Sequence, residues 1–223
     1  DDGAVDEGVA VAVVPTVPGA TLPAGDYALT MDVYMNVDGT ASGTTELGLF
    51  GVHAVAPNAE FDDTLTDDVP FDFGLSNGNG LAWHASGEGG STNDLHRYQD
   101  PGNADSGSQT GLGAWQDIPD GTITGLPTGA AATVGPQGQW VEFEISSTAG
   151  LIEWKVNGYT LDSFDNTGGT FVGGTPMIGY ADYFNSSSDG RAHFIVFDNI
   201  NLVPEPAALA LLGLGGLAMM RRR

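Results

Sequence analysis

The chain has 223 residues, with 29 acidic side chains against 6 Lys and Arg, a formal net charge of −23, and no cysteine. So acidic a surface offers no basic patch for nucleic acid, and the missing cysteines exclude disulfides and thiolate metal sites. The length suits one large β domain, and 34 Gly and 12 Pro without a period favour short strands joined by tight turns. The charge is typical of a protein kept soluble in salty surroundings, and specific cation binding is the alternative.

Residues 1–22 form a leading segment, and its apolar run at 9–14 is a candidate first strand. This segment has neither the basic region nor the long apolar run of a signal peptide. Because the C-terminal residues described below indicate export, we expect Asp1 to follow a cleaved signal. From Tyr27 to Val37 apolar and polar residues alternate, which predicts a half-buried strand. Its apolar face consists of Leu29, Met31, Val33, Met35 and Val37.

Further strands are predicted at 47–55 and 81–85, separated by an acidic loop over 58–72. Residues 87–138 are rich in Gly, Asp, Asn and Ser and show no regular period. A connection this long in a compact domain is usually functional or mobile. We therefore look for a site in this irregular third of the chain.

Alternation resumes after Gln139, where Val141, Phe143 and Ile145 oppose Glu142 and Glu144. Strands at 151–156 and 159–164 flank Asn157-Gly158, a strong hairpin signal. The last two strands are predicted at 176–184 and 193–203. About nine strands without a soluble helix predict an all-β, two-sheet antiparallel sandwich over 23–203.

The closing strands resemble those of concanavalin A-like lectin and glucanase jelly rolls, with the LamG-type members most similar. The similarity covers 139–203 and rests on Gln-Trp-Val-Glu-Phe-Glu-Ile, Ile-Glu-Trp-Lys-Val-Asn-Gly, Pro-Met-Ile-Gly-Tyr and Phe-Asp-Asn-Ile-Asn-Leu. The resemblance implies a jelly-roll sandwich and, as one expectation, carbohydrate binding.

From residue 204 the composition changes to Pro204-Glu205-Pro206, an uncharged stretch over 207–220, and Arg221, Arg222 and Arg223. The apolar stretch would span about 21 Å as a helix, short of a bilayer core of about 30 Å, so it predicts transient rather than lasting membrane insertion. This order resembles the PEP-CTERM sorting signal. The resemblance implies processing by an exosortase, export by a Gram-negative-type bacterium, and a place at the cell surface or in a biofilm matrix.

Sugar-binding jelly rolls combine exposed rings with polar loop residues, which is the general recipe for a small-ligand site. The irregular third and its borders supply the candidates Trp83, His96, Arg97, Tyr98 and Trp115. The alternative is that Trp83 belongs to the core and Trp115 pins a loop. Trp140 and Trp154 lie in regular strands and are predicted to be structural.

Calcium needs six to eight oxygen ligands, and two acidic clusters are candidates without EF-hand spacing. One contains Asp94, Asp100 and Asp105, with Asn103, and the other contains Asp62, Asp63, Asp67 and Asp68. Glu142 and Glu144 are the nearest approach to a glucanase carboxylate pair. However, Trp140 and Ser146 flank them where a third acid is expected, so we expect no catalysis. Three functions remain open: a polysaccharide-binding protein, a structural or self-associating envelope protein, and, with least support, a glycoside hydrolase.

Overall fold

The computed structural model describes residues 9–13, 21–23, 25–36, 46–54, 80–87, 94–99, 109–124, 135–182 and 194–204. These residues form an antiparallel sandwich of two β-sheets, which confirms the predicted fold class. Within this described part no helix has the length and apolar character needed to cross a membrane. The predicted C-terminal helix, the acidic loop and strand residue Val37 lie outside the described residues.

Eleven strands and one 3-10 turn make up the described structure. The strands are β1 (Val9–Val13), β2 (Tyr27–Asn36), β3 (Glu46–Ala54), β4 (Leu81–Ser86), β5 (Leu95–Gln99), β6 (Gln109–Gly113), β7 (Trp140–Thr148), β8 (Leu151–Val156), β9 (Tyr159–Asp165), β10 (Thr175–Asp182) and β11 (Phe194–Pro204). The 3-10 turn spans Trp115–Asp117.

The strands divide into a large sheet and a small sheet. The large sheet has the order β1-β10-β3-β4-β5-β6, and the small sheet has the order β11-β2-β7-β8-β9. The candidate strand in the leading segment is thus an edge strand, where Val9–Val13 pairs with β10. The predicted Asn157-Gly158 hairpin joins β8 to β9, with both residues at positive φ as a type I′ turn requires.

The core lies between the sheets and is dominated by aromatic rings. Phe50 of the large sheet stacks on Phe143 of the small sheet with ring centroids 4.4 Å apart, and Trp83 stacks on Trp154 at 6.0 Å. The alternation predicted for β2 is found, because Leu29, Met31, Val33 and Met35 are all buried. Such interdigitating inner faces supply most of the hydrophobic stabilisation of a sandwich.

The irregular third contains two strands that the sequence pattern did not predict, β5 and β6. β5 has the sequence Leu-His-Arg-Tyr-Gln, in which an arginine faces the core and two polar rings face away from it. Since the usual alternation of apolar and polar residues is missing, periodicity could not identify this strand.

Candidate functional site

Two of the predicted ligand-binding residues, Trp83 and Arg97, face the interior between the sheets. They are register partners on β4 and β5, and Trp83 is fully buried. Asp162 of the small sheet accepts a hydrogen bond from Trp83 Nε1 at 2.8 Å, and Arg97 Nη1 lies 2.9 and 3.0 Å from its two carboxylate oxygens. These side chains therefore join the two sheets, which agrees with the alternative that Trp83 is a core residue.

A β-bulge explains why an acidic residue points into the core. The register of β8 and β9 shifts between Trp154 and Lys155, which places Asp162 directly opposite the buried Trp154. Bulges redirect side chains in this way. Arg97 then pairs with Asp162 and also lies over the ring of Phe164, 5.3 Å from its centroid.

Two further residues predicted to bind a ligand, His96 and Tyr98, lie on β5 and point to the opposite side of the large sheet. There Tyr98 Oη lies 2.8 Å from His84 Nδ1, and His84 Nε2 lies 3.0 Å from His96 Nδ1. This outer face, which we call the closed face, also carries Leu47, Leu49, Ala82 and Met177, and every one of these side chains is buried. Its polar chain is thus a buried network rather than an open binding surface.

Trp115 and Asp94 hold the turn that follows β6. The Trp115 indole Nε1 donates to the Ser86 carbonyl at 2.9 Å, and its backbone N–H donates to Asp94 Oδ2 at 3.0 Å. Both residues are fully buried. Oδ2 of Asp94 accepts this hydrogen bond. Asp100 and Asp105 lie outside the described residues, as do Asp62, Asp63, Asp67, Asp68 and Asn103. In the described part no three acidic or histidine side chains are placed to hold a metal ion.

An exposed aromatic patch lies on the outer face of the small sheet, where sequence analysis expected only structural residues. Tyr34 on β2 and Trp140 on β7 are register partners with ring centroids 5.6 Å apart, and Phe194 on β11 lies 6.5 Å from Tyr34. Trp140 is 52% exposed and Phe194 is 42% exposed. We call the outer surface of β11, β2 and β7 the open face. It brings two exposed rings and the half-buried ring of Tyr34 together on neighbouring strands.

Carboxylates lie beside this aromatic patch. Asp198, Asp32 and Glu142 occupy facing register positions on β11, β2 and β7, and we call them the carboxylate row. A bulge in β11 places Asn199 at a positive φ of 49°, from which its Nδ2 donates to Asp32 Oδ2 at 2.7 Å. The open face therefore offers ring faces, carboxylate acceptors and an amide within one surface.

Farther along the small sheet, Lys155 neutralises part of the acidic charge. Its Nζ lies 2.9 Å from Glu144 and 3.1 Å from Glu153. Partial burial by itself lowers the pKa of Lys155, but the hydrogen bonds and charges of the two glutamates outweigh it and hold the pKa above its ordinary value. The ammonium thus remains charged and keeps Glu144 occupied.

Sequence analysis treated both Trp140 and Trp154 as structural residues; the structure exposes Trp140 and buries Trp154. The pattern of this strand already contains a signal that Trp140 faces solvent. Trp140 shares its parity with Glu142 and Glu144, and Val141, Phe143 and Ile145 form the buried face. An aromatic residue on the polar side of an amphipathic strand is a candidate for binding.

Comparison with known proteins identifies the end of the chain. Residues 202–223 match the PEP-CTERM protein-sorting motif, which begins within β11 and includes the predicted Pro204, Glu205, Pro206 and the terminal arginines. The motif indicates an exported bacterial cell-surface protein that is processed by an exosortase. No curated protein matches the chain.

Solved structures with a similar fold include carbohydrate-binding, lyase and lectin jelly rolls. The carbohydrate-binding module CBM66 from Bacillus subtilis matches with a TM-score of 0.45 and 8% identity, over 88% of this chain and 83% of that one. An alginate lyase from Pseudomonas aeruginosa matches with a TM-score of 0.42 and 10% identity, over 82% and 66%. Sheep galectin-11 matches with a TM-score of 0.38 and 11% identity, over 90% and 100%. None of these similarities is close enough to assign an activity.

Proposed function

We propose that this chain is an exported cell-surface protein whose sandwich binds extracellular polysaccharide without cleaving it. The observation that carries the proposal is the aromatic patch of Tyr34, Trp140 and Phe194 on the open face. Large rings are usually buried, so three neighbouring rings held at the surface of one sheet mark an interaction surface.

The chemistry of the patch suits a sugar polymer. Pyranose rings present flat C–H surfaces that stack on aromatic faces, and their hydroxyl groups hydrogen-bond to neighbouring carboxylates and amides. The patch crosses β11, β2 and β7, and neighbouring strands lie about 4.8 Å apart. A polysaccharide lying across these strands contacts more than one ring.

A binding role is favoured over hydrolysis by the state of the glutamate pair. A glycoside hydrolase needs one protonated carboxyl group as the acid and a second carboxylate opposite it. Glu144 instead forms an ion pair with Lys155 at 2.9 Å, so its carboxylate is already engaged by a side chain of the same sheet. We therefore expect Glu144→Gln to leave polysaccharide binding intact. We expect neither the wild type nor this variant to cleave glycans.

Affinity of the full chain for a set of extracellular polysaccharides, with Trp140→Ala as the variant, tests this proposal. Removing a stacking ring should weaken binding by about tenfold or more, equivalent to about 1.4 kcal/mol. Leu151→Ala is the matched control, because Leu151 is 43% exposed on β8 of the same sheet and lies away from the patch.

Unchanged binding in Trp140→Ala, or no binding to any member of the set, would contradict the proposal. If Trp140→Ala instead converts an oligomer of the chain to monomers, the patch joins copies of this protein. That outcome selects the structural, self-associating alternative.

A further inference from the structure

The carboxylate row and the aromatic patch are adjacent on the open face. Val196, Tyr34 and Trp140 are paired across β11, β2 and β7, and Asp198, Asp32 and Glu142 are paired two residues farther along the same strands. Two residues of a strand advance about 7 Å. In a polymer that lies across the strands, a sugar stacked on Trp140 therefore directs the substituents on one side of its ring toward the carboxylate row.

Like charges directly opposite each other destabilise a sheet, so this row needs an explanation. Of the residues that the structure describes, only Arg97 and Lys155 carry a permanent positive charge. Arg97 is paired with Asp162 inside the sandwich, and Lys155 is paired with Glu144 and Glu153. Asn199 supplies a neutral amide to Asp32, but no basic side chain of the described residues pairs with the row.

A metal ion does not account for the row in the described structure. The three carboxylates stand side by side on three strands, and no group of three acidic or histidine residues in the described ranges is placed to hold a metal. A ligand that carries its own positive charges at sugar spacing matches such a line of acceptors. Ammonium groups form short, charge-assisted hydrogen bonds to carboxylates.

We propose that the open face selects a polysaccharide with free amino groups, such as a partly deacetylated amino-sugar polymer, and excludes polyuronates. This inference rests on the proposed function, since it names the class of polysaccharide that the aromatic patch takes. Sugar rings stack on Tyr34 and Trp140 while their ammonium groups contact Asp32 and Glu142. The net charge of −23 adds long-range repulsion of any polyanion.

Three oligosaccharides of equal length separate the contributions of charge and stacking. They are a partly deacetylated oligomer of N-acetylglucosamine, the same oligomer fully acetylated, and an oligomannuronate. Titration calorimetry with the full chain in slightly acidic, low-salt buffer should show the deacetylated oligomer binding about tenfold more tightly than the acetylated one. The oligomannuronate should not bind. Added salt should reduce the difference in affinity between the deacetylated and the acetylated oligomer.

The double variant Asp32→Asn with Glu142→Gln should remove the advantage of the deacetylated oligomer and keep the affinity for the acetylated one. Glu153→Gln is the matched control, because it removes a carboxylate of the same sheet that lies beside Lys155. Folding of each variant is checked by its melting temperature.

Equal affinity for the two amino-sugar oligomers, a preference retained in the double variant, or binding of the oligomannuronate would overturn this inference. Each of these results leaves the proposed function standing as long as Trp140→Ala weakens binding. If the chain binds no member of the wider set of polysaccharides, that separate result overturns the proposed function.

Discussion

The outer faces of the two sheets differ in what they do with aromatic and polar side chains. On the closed face His84, His96 and Tyr98 are linked by hydrogen bonds and are at most 8% exposed. On the open face Trp140 is 52% exposed and lies beside a line of carboxylates. Residue types that suit ligand binding thus occur on both faces, and burial decides that one face stabilises the fold while the other can meet a ligand.

The largest expected effect concerns the pair that joins the two sheets. Asp162→Ala leaves the Arg97 side chain, which is only 15% exposed, without its counter-charge and Trp83 Nε1 without its acceptor, so we expect a loss of about 3–5 kcal/mol in the free energy of unfolding. Urea denaturation measures it. Asp165→Ala, at an exposed position of the same strand, is the control. If Asp162→Ala loses no more free energy of unfolding than Asp165→Ala, the pair does not join the sheets.

A smaller loss of stability is expected on the closed face. His84→Ala removes the shared partner of Tyr98 and His96 and leaves a cavity, and the expected cost is about 2–4 kcal/mol. Trp140→Ala on the open face should cost less than about 1 kcal/mol. Thermal unfolding of the two variants side by side measures this contrast, and similar losses in both would break the distinction between the faces.

A pH-dependent contribution is expected from His53, which lies between the sheets. Its Nδ1 donates to the Gly173 carbonyl at 2.7 Å, and its Nε2 accepts from Tyr27 Oη at 2.9 Å, so the neutral ring fits this position. Burial lowers the pKa of His53 and outweighs the opposing effect of the hydrogen bond to Gly173, while burial raises the pKa of Tyr27.

Because the folded state has the lower pKa, the unfolded chain takes up a proton first as the pH falls below about 6.5. Stability should therefore decrease toward acidic pH by at most about 1.4 kcal/mol per pH unit from this group, with no contribution at higher pH. Denaturation of wild type and His53→Gln across this range measures the difference. Parallel curves would show that His53 is not held neutral.

The sequence pattern was sufficient to predict those strands in which apolar and polar residues alternate regularly. β2 and β8 lie where periodicity and the hairpin signal predict them, because one face of each strand packs against the core. β5 was missed, since Arg97 faces inward to meet an acid from the other sheet. That contact depends on the bulge opposite Trp154 and on a pairing between distant strands, neither of which a local pattern contains.

The candidate site was predictable only in its chemistry. Aromatic rings with polar neighbours were expected, but four of the five chosen residues are buried and Arg97 is half-buried. Trp83 and Arg97 also face away from His96 and Tyr98. The aromatic patch requires Tyr34, Trp140 and Phe194, which come from three separate parts of the chain. Only the pairing of β11, β2 and β7 brings them together.

Mapping the bound polysaccharide by nuclear magnetic resonance tests the central claim most directly. Titration of the isotope-labelled full chain with the oligosaccharide that binds most tightly should shift the signals of Tyr34, Trp140 and Phe194 and their strand neighbours. The signals of His84, His96 and Tyr98 should stay in place. Shifts centred on the closed face, with the Trp140 indole signal unchanged, would contradict the account.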